Sequence, residues 1–586
     1  MSQSLSPELR SSKTKDSSST GFRNLKRGIS EISTAIKSVR KKVSSSSRRS
    51  EVKIRRKEDV ITEVAEILQE AQSSACETSD EETFIAGSRT PPPAWSNWAE
   101  NQTANPAQIF YPETIEDLTQ IIHQAKTNNK KLRCACMGHT WSSSSVVQEE
   151  GYLAIMNKME KMYAPVQLEE NVWTVEIETG VLIKDLDDFL RKHDPPLTLP
   201  SNVVLDTVRY GGVLSLGCHG AATHTRTLPD LVHSVKILDA NGNVNVFSKD
   251  ADPVEFSAAT VNLGLLGIIY SYTLRVEPMF KLRVTDTFPL FNDYFSSPEL
   301  DGPKLKAMVE GNDQTEIFYW PFNTAGLGIA NDRLWVKQWQ RVENVPVTQS
   351  QKHRVFQKAL QNLQTSFGSK LYEYMAANPS ATPFLCCLMY SALRKVGSDP
   401  TLVATAQGSE EGDEEVLYAP DAIHFQAGID NMKCLDLEMA FKVDENFENV
   451  VKAWTYVTDQ MYLYAERGEF PLNLTMEMRF VKASQMMMSN AYDDDPEAIY
   501  CMIEILSVAD TQGFEEFSAK VAKYWMDEFQ ARPHWAKMWE HIPGIVPYLQ
   551  EIGGARTRLD EFERIRKKYD PEGMFMNKTF AGLLGH

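Results

Sequence analysis

Apolar residues recur with two different periods along residues 95–276, and this predicts a fold that mixes strands and helices. A helical period predicts one helix from a cap at Thr114 to Thr127 and another over 184–192. The Asn241-Gly242 pair lies between two apolar runs and predicts a β-hairpin. Apolar side chains at alternate positions predict strands at 109–111, 131–137, 153–156, 173–178, 235–239 and 244–247, and one ending at Val276. The predicted fold class is therefore α+β.

Differences in composition and in the apolar pattern divide the chain into three parts. Residues 1–90 are rich in Ser, Lys and Arg and lead into three prolines at 91–93, so we expect a mostly disordered arm. Residues 95–276 carry the short strands and glycine-rich turns of one domain. Residues 277–586 carry longer aromatic and amphipathic segments, so we expect a second domain with a mixed sheet and helices. The last motifs of the chain should return to the functional site.

Charge is unevenly distributed along the chain. The whole sequence has 61 Lys and Arg against 79 Asp and Glu, a net charge of −18. Residues 1–57 hold 16 of these basic residues and only four acids, so the remainder carries −30. An acidic body argues against broad binding to nucleic acid. The basic arm, in contrast, has the charge for peripheral contact with an anionic membrane surface.

Cysteine usage and the absence of long apolar runs favour an intracellular protein. The eight cysteines lack the paired spacing of a zinc site, so we expect reduced thiols and no metal. No apolar run is long enough to span a membrane, and we expect no secretory signal after Met1. The Ser- and Arg-rich start leaves a cytoplasmic and a mitochondrial or membrane-associated location open.

Three segments have the composition of loops that hold a planar, phosphate-bearing ligand. Small and hydroxylated residues at 137–143 can present backbone amides to a pyrophosphate. Glycines at 211–220 and 264–267 lack the Cβ atoms that would keep the backbone away from a ligand. Each segment alone could be a tight turn, but their order along the chain favours a binding site. The candidate residues are Gly138, His139, Thr140, Ser142, Ser143, Gly211, Gly212, Gly217, His219, Gly220, Gly264, Gly267 and Ile269.

Two later motifs carry charged residues suited to catalysis. Glu477 and Arg479 are two positions apart, so in a strand they project from one face and can reach one substrate. His534 and Lys537 lie in the string Arg-Pro-His-Trp-Ala-Lys that begins at Arg532. A solvent-facing ion pair is the alternative for Glu477 and Arg479, but the occurrence of both motifs favours function.

In this order, the motifs resemble those of the aldonolactone oxidoreductases, the group of L-gulonolactone oxidase and D-arabinono-1,4-lactone oxidase. The resemblance begins at Trp95-Ser-Asn-Trp98, continues through 111–118 and the glycine-rich segments, and reaches the two charged motifs. It implies a two-subdomain FAD-binding domain of the vanillyl-alcohol-oxidase (PCMH) type over 95–276. It also implies an α+β substrate-capping domain over 277–586.

The resemblance implies an FAD-dependent oxidoreductase that acts on CH–OH groups, either as an oxidase or as a dehydrogenase. The expected substrate is a gulono-, galactono- or arabinono-1,4-lactone, and the expected product is ascorbate-like. Oxidation of a carbinol needs removal of the hydroxyl proton and positive charge near the reduced flavin. By resemblance, Glu477 and Arg479 would orient and deprotonate the substrate, while Lys537 and His534 would stabilise charge on the flavin.

Relatives with a histidine in the first loop often bind FAD covalently, which makes His139 the expected attachment point. Thr140-Trp141 departs from the small residues usual after this histidine. A second departure is Val203-Val204, where many oxidases have a small residue that opens a path for oxygen. We therefore expect slow reaction with O₂ and leave another electron acceptor open. A linear polyol remains an alternative substrate, and a flavin-fold scaffold without turnover remains an alternative function.

Overall fold

The computed structural model describes residues 95–147, 150–324, 328–348, 371, 373–397, 414–426 and 432–586. The predicted basic arm, residues 1–90, lies outside these ranges. Helices and sheets occur in both halves of the described chain, which confirms the predicted α+β class. Among the described residues, no helix has the length and apolar character needed to cross a bilayer.

The described strands of the N-terminal half form three sheets. A two-stranded ladder pairs β1 (Trp95–Ser96) with β2 (Thr103–Ala104). The strands of a small parallel sheet are β3 (Gln108–Phe110), β4 (Leu132–Ala135) and β5 (Tyr152–Ile155), with β5 in the middle. The strands of a larger antiparallel sheet are β6 (Val166–Glu169), β7 (Val172–Glu178), β8 (Leu197–Thr198), β9 (Val232–Leu238), β10 (Val244–Ser248) and β11 (Ile268–Pro278). Its order is β10-β9-β11-β7-β6, and β8 pairs with the end of β11.

Local signals in the sequence explain several elements of this half. The helices are α1 (Ile115–Thr127), α2 (Ile183–Arg191), α3 (Tyr210–Ser215) and α4 (Pro253–Thr260). Thr114 caps α1 by accepting a hydrogen bond from the Asp117 amide, and Asp117 accepts one from the Thr114 amide. Gly242 adopts φ +82° in the turn between β9 and β10, which confirms the predicted hairpin.

One eight-stranded sheet organises the C-terminal half. Its strands are β12 (Lys281–Thr287), β13 (Gln314–Tyr319), β14 (Trp335–Val342), β15 (Glu414–Tyr418), β16 (Cys434–Lys442), β17 (Met476–Lys482), β18 (Ile499–Val508) and β19 (Arg532–Pro533). Their order is β15-β12-β14-β13-β17-β18-β16-β19. All described neighbours run antiparallel, so the expectation of a mixed sheet is wrong. Consecutive strands such as β13–β14 and β17–β18 are adjacent, which antiparallel pairing allows without a crossover helix.

The described helices of this half are α5 (Pro298–Glu310), α6 (Thr382–Gly397), α7 (Ala419–Ile423), α8 (Glu448–Ala465), α9 (Phe514–Phe529), α10 (Ile545–Glu551), α11 (Ala555–Tyr569) and α12 (Lys578–Leu584).

The two faces of this sheet have opposite chemistry. Met476, Met478 and Phe480 of β17 belong to one apolar core with Trp454 of α8 and Trp525 of α9. Because side chains alternate along a strand, the intervening residues of β17 face the opposite side.

The end of the chain packs on the parallel sheet of the N-terminal half. The Leu132 amide donates to the Met574 carbonyl (2.9 Å), and Arg133 Nη1 donates to the Phe575 carbonyl (2.7 Å). Arg133 also donates to the carbonyls of Gly264 (2.9 Å) and Ser144 (Nε, 3.0 Å). One buried guanidinium therefore joins the C-terminal segment to the predicted loop at 264–267 and to Ser144, which directly follows the predicted loop at 137–143.

We expect Arg133→Met to lower the free energy of unfolding by about 3 kcal/mol, because it leaves several buried carbonyls without a charged donor. Chemical denaturation followed by tryptophan fluorescence measures this change. The matched control is Arg275→Met on the exposed side of β11, which should have little effect. Equal stability of the two variants would contradict the role assigned to Arg133.

Candidate active site

Two adjacent cavities border the predicted site residues, the larger between the two halves of the molecule and the smaller within the N-terminal half. The larger has about 1290 Å³ of empty space including its open mouth, and His139, Trp141, Glu477, Arg479 and Lys537 are among its lining residues. The smaller cavity, about 560 Å³, is lined by residues that include the glycine-containing segments 211–212 and 263–264. Cys136, Ser145, Gly212 and Leu216 line both. The two cavities can therefore receive the two ends of one elongated ligand.

Cross-strand register assembles a cluster of acids on the sheet face opposite the apolar core. Glu477 of β17 lies directly across from Glu504 of β18, and Glu504 lies across from Glu438 of β16. Glu316 of β13 lies across from Arg479 of β17. Directly opposed residues share a face, so these side chains form one continuous charged surface.

Two cations, Arg479 and Lys537, bind acids of this surface. Arg479 donates through Nη1 to Glu504 Oε2 (2.9 Å) and through Nη2 to Glu477 Oε2. Lys537 Nζ donates to Asp436 Oδ2 (2.5 Å) and to Glu504 Oε1. Glu504 thus accepts from both cations, and it is 6% exposed.

Burial divides the carboxyls into two groups. Burial raises the pKa of Glu477 to about 8 and holds the pKa of Asp436 well above its usual range. Burial acts to raise the pKa of Glu504 too, but Lys537 and Arg479 bring it far below the usual value. At neutral pH the cluster therefore combines protonated carboxyls with ionised ones.

His219, Glu438 and His534 form a second buried group beside this surface. His219 Nε2 lies 2.8 Å from Glu438 Oε1, and its Nδ1 lies 2.9 Å from the Gly220 carbonyl oxygen. His534 Nδ1 accepts a hydrogen bond from the Ala536 amide (3.1 Å), and burial lowers the pKa of His534 to about 4. Neutral His534 must then carry its hydrogen on Nε2, which removes that nitrogen as a metal ligand. The pattern favours a hydrogen-bonded group over a metal site.

Most of the predicted site residues lie on the cavity walls. The larger cavity is lined by the predicted residues Gly138, His139, Thr140, Gly212, His219, Gly220, Glu477, Arg479, His534 and Lys537. The smaller cavity is lined by Gly211, Gly212, Gly264, Gly267 and Ile269. Ser142, Ser143 and Gly217 line neither. The Ser143 hydroxyl instead bonds to Glu540 Oε1 (2.5 Å) and Thr579 Oγ1 (2.6 Å) in the C-terminal segment.

The glycines serve the cavities in different ways. A Cβ atom at Gly212 would meet nothing within 4 Å, so this backbone borders open space and suits close approach by a ligand. A Cβ atom at Gly267 would come within 2.1 Å of the Leu238 carbonyl, and one at Gly220 within 2.5 Å of Ser201 Oγ. These two glycines are therefore required by packing against protein atoms. Gly211, Gly212, Gly264 and Gly267 line the smaller cavity, so backbone forms part of its wall.

Four acids of the charged face were not singled out from the sequence: Glu316, Asp436, Glu438 and Glu504. Asp436 and Glu438 stand two positions apart within the otherwise apolar stretch Cys434-Leu-Asp-Leu-Glu-Met-Ala-Phe, and Glu504 stands alone in β18. Acids at every second position of an apolar strand are a signal of buried, partnered carboxylates. That signal would have identified Asp436 and Glu438, but not Glu504.

The family models that match this chain identify an FAD-dependent oxidoreductase, in agreement with its α+β fold. An FAD-binding-domain model matches residues 106–248, and a D-arabinono-1,4-lactone oxidase model matches residues 272–582. The second match alone spans more than half of the chain. The chain belongs to the D-arabinono-1,4-lactone oxidase family.

Individual relatives agree with this assignment. An L-gulono-1,4-lactone dehydrogenase from Mycobacterium tuberculosis is 23% identical over 84% of this chain and 99% of its own. A D-arabinono-1,4-lactone oxidase from Candida glabrata is 26% identical over 83% of this chain and 96% of its own. A solved cholesterol oxidase from Brevibacterium sterolicum superposes with a TM-score of 0.68 at 19% identity, over 85% of this chain and all of its own. At that identity the structure shows a shared fold and nothing finer.

The raised pKa of Glu477 predicts that the stability of the fold changes with pH. Its pKa is raised in the folded protein, so the folded state keeps a proton that the unfolded state loses. The resulting stabilisation is complete below the unfolded pKa of about 4.5 and is lost as the pH rises towards about 8. We expect Glu477→Gln to remove part of this loss, so its melting temperature relative to the native protein should be higher at pH 8 than at pH 5. Thermal unfolding at both pH values tests this, with exposed Glu466→Gln as the control.

Proposed function

We propose that this protein oxidises an aldonolactone of the gulono-, galactono- or arabinono-1,4-lactone type at a CH–OH group and gives an ascorbate-like product. FAD supplies the hydride acceptor when it is bound. The observation that carries the proposal is the position of Glu477, Arg479 and Lys537 together on the wall of the larger cavity, which shares four lining residues with the smaller, glycine-lined cavity. The names of the relatives supply the class of substrate.

The charges of the cavity favour a neutral substrate rich in hydroxyl groups. Asp436, Glu438, Glu477 and Glu504 line the cavity, and three cations, Arg209, Arg479 and Lys537, line it with them. A ring-opened sugar acid would bring a negative charge next to these buried carboxyl groups. Burial already disfavours their ionised forms, so the added charge would be repelled. A lactone has no such charge, and its hydroxyl groups can donate to the carboxylates and accept from the cations. No observation favours a linear polyol over the ring.

Arg479 is suited to orient the substrate. Its guanidinium is anchored on Glu504 and reaches Glu477 at the same time, which fixes the plane of its donors. A fixed donor plane can hold a carbonyl or hydroxyl oxygen in one orientation without a large entropy cost at each turnover.

Glu477 is suited to remove the hydroxyl proton, and Lys537 to supply positive charge. The raised pKa of Glu477, about 8, leaves a fraction of this carboxyl ionised near neutral pH, and that ionised form accepts a proton more readily than an ordinary glutamate does. Lys537 lies between Asp436 and Glu504, which hold its pKa well above the usual value, so it stays cationic. His534, neutral and hydrogen-bonded to its own loop, helps to shape that loop around Lys537.

We further propose that His139 is the point of covalent attachment for FAD. Its ring is half-buried on the wall of the larger cavity, at the end of the loop that follows β4. The neighbouring Trp141 is buried, and its indole nitrogen donates to the Cys434 carbonyl (2.6 Å). The bulk of Trp141 is thus held against β16, which leaves His139 access to the cavity.

The electron acceptor and the cellular location stay predictions from the sequence. Val203 and Val204 both line the larger cavity, which supports a restricted path for oxygen beside the flavin. For the protein we propose an intracellular location, in the cytoplasm or the mitochondrion. For residues 1–90 we propose peripheral contact with a membrane.

The test of the function is turnover of the FAD-loaded enzyme on a panel of gulono-, galactono- and arabinono-1,4-lactones, with the ring-opened acids and a linear alditol beside them. We expect the lactones to bleach the flavin in the absence of oxygen. Arg479→Met should lower kcat/KM for the best lactone by about 100- to 1000-fold, because it removes a fixed donor. Arg283→Met is the control, since Arg283 forms an ion pair with Glu414 (2.9 Å) in β12 and β15 of the same sheet.

Two results would contradict the proposal. Faster reduction by the alditol than by every lactone would assign the enzyme to linear polyols. An Arg479→Met variant as active as the Arg283→Met control would remove the charged face from the mechanism.

We expect reoxidation of the reduced enzyme by dissolved oxygen to be slow, and Val203→Ala or Val204→Ala to accelerate it by widening the approach to the flavin. Stopped-flow absorbance after anaerobic reduction measures this rate, with Val246→Ala on exposed β10 as the control. Rapid reoxidation of the native protein in air would refute the restricted path.

A further inference from the structure

The predicted attachment residue lies within a cluster of three aromatic rings. Trp98 stacks on the imidazole of His139, with ring centroids 4.2 Å apart and planes inclined by 20°. Trp141 meets the same imidazole edge-on, with centroids 5.5 Å apart and an interplanar angle of 89°. The two indoles also contact each other at 5.7 Å. Two contacts at right angles restrict both tilt and rotation of the imidazole ring.

This cluster is held by bonds that do not involve the imidazole. The Trp98 amide donates to the Gly138 carbonyl (2.9 Å), and Asn97 Nδ2 donates to the Thr140 carbonyl (2.6 Å). Gly138 adopts φ +68°, and a Cβ atom there would lie 3.4 Å from the Trp95 ring. The segment that carries Trp98 is therefore fixed to the backbone on both sides of His139.

We propose that Trp98 is the positioning residue for covalent attachment of FAD to His139, an inference that rests on the attachment proposed above. The nitrogen lone pair of imidazole lies in the ring plane, so attack on carbon requires that plane to point at the target. Stacking by Trp98 holds the plane, and Trp141 blocks its rotation. We call the two indoles that hold the imidazole, Trp98 and Trp141, the clamp. Trp98 also lines the larger cavity, so the clamp borders the space proposed for the flavin.

The chemistry of attachment balances with dioxygen as the oxidant. A ring nitrogen of His139 forms a bond to the 8α carbon of the flavin, and the nitrogen and that carbon each release one proton. The electron pair of the broken C–H bond reduces the isoalloxazine. Dioxygen then takes two electrons and two protons to form hydrogen peroxide and restores the oxidised ring.

The test separates FAD binding from attachment. The protein is produced in a riboflavin-starved host and mixed with FAD, and two quantities are followed with time: total bound flavin, and flavin that stays with the polypeptide after acid precipitation. We expect His139→Ala to bind FAD without attachment. Trp98→Leu should bind FAD but attach it at least about tenfold more slowly, because the ring plane is no longer held. Trp98→Phe, which keeps a smaller stacking ring, should restore much of the rate.

The chain offers a matched control. Trp173 is half-buried like Trp98 and contacts another histidine, His193, at 5.0 Å, but it does not line either cavity. Trp173→Leu should attach FAD at the native rate. If Trp98→Leu fails to fold, Asn97→Ala releases the same segment without removing a ring and should slow attachment in the same way.

Native attachment rates in Trp98→Leu, or in Asn97→Ala where the first variant does not fold, would overturn the clamp. Complete release of flavin from the native protein would overturn both the clamp and the attachment. Lactone oxidation, measured separately with bound FAD, would still decide the proposed function, so the two failures are distinguishable.

Discussion

The C-terminal half of the molecule depends on the burial of several carboxyl groups on one face of its sheet. Withdrawing an isolated carboxylate from water costs several kcal/mol, and an acid cluster multiplies that cost. Two effects offset it here: Arg479 and Lys537 share Glu504 between them, and burial raises the pKa values of Asp436 and Glu477, which favours their neutral forms. Loss of either cation would leave buried carboxyl groups without their charged partner.

This charged face also constrains the register of the sheet. A slip of one residue in β17 would turn Glu477 and Arg479 into the apolar core beside Trp454 and bring methionines onto the cavity wall. Both consequences are unfavourable, so the hydrophobic side and the functional side select the same register. The geometry of the site is thus protected by the same packing that stabilises the domain.

Local sequence signals were sufficient for part of this structure and insufficient for the rest. The cap at Thr114, the hairpin at Gly242 and the shared face of Glu477 and Arg479 depend on residues close in sequence, and the structure contains all three. Glu504 became recognisable only through its cross-strand neighbours, because one acid in an apolar strand carries no pattern of its own. The same limit applies to Ser143, whose partners lie about 400 residues further along the chain.

Contacts between distant backbone segments set the position of the proposed catalytic residue Lys537 relative to the loop that carries His139. The Ala536 carbonyl accepts from the Trp141 amide (2.7 Å) and from Thr140 Oγ1 (2.9 Å), so the loop that carries His139 is bonded directly to the loop that carries Lys537. Lys537 Nζ also lies 4.4 Å from the centre of the Trp141 ring. Trp141 lies in the N-terminal half and Ala536 in the C-terminal half, so these bonds are themselves part of the contact between the halves. The spacing of the proposed attachment residue His139 and the proposed catalytic residue Lys537 therefore depends on how the two halves pack together.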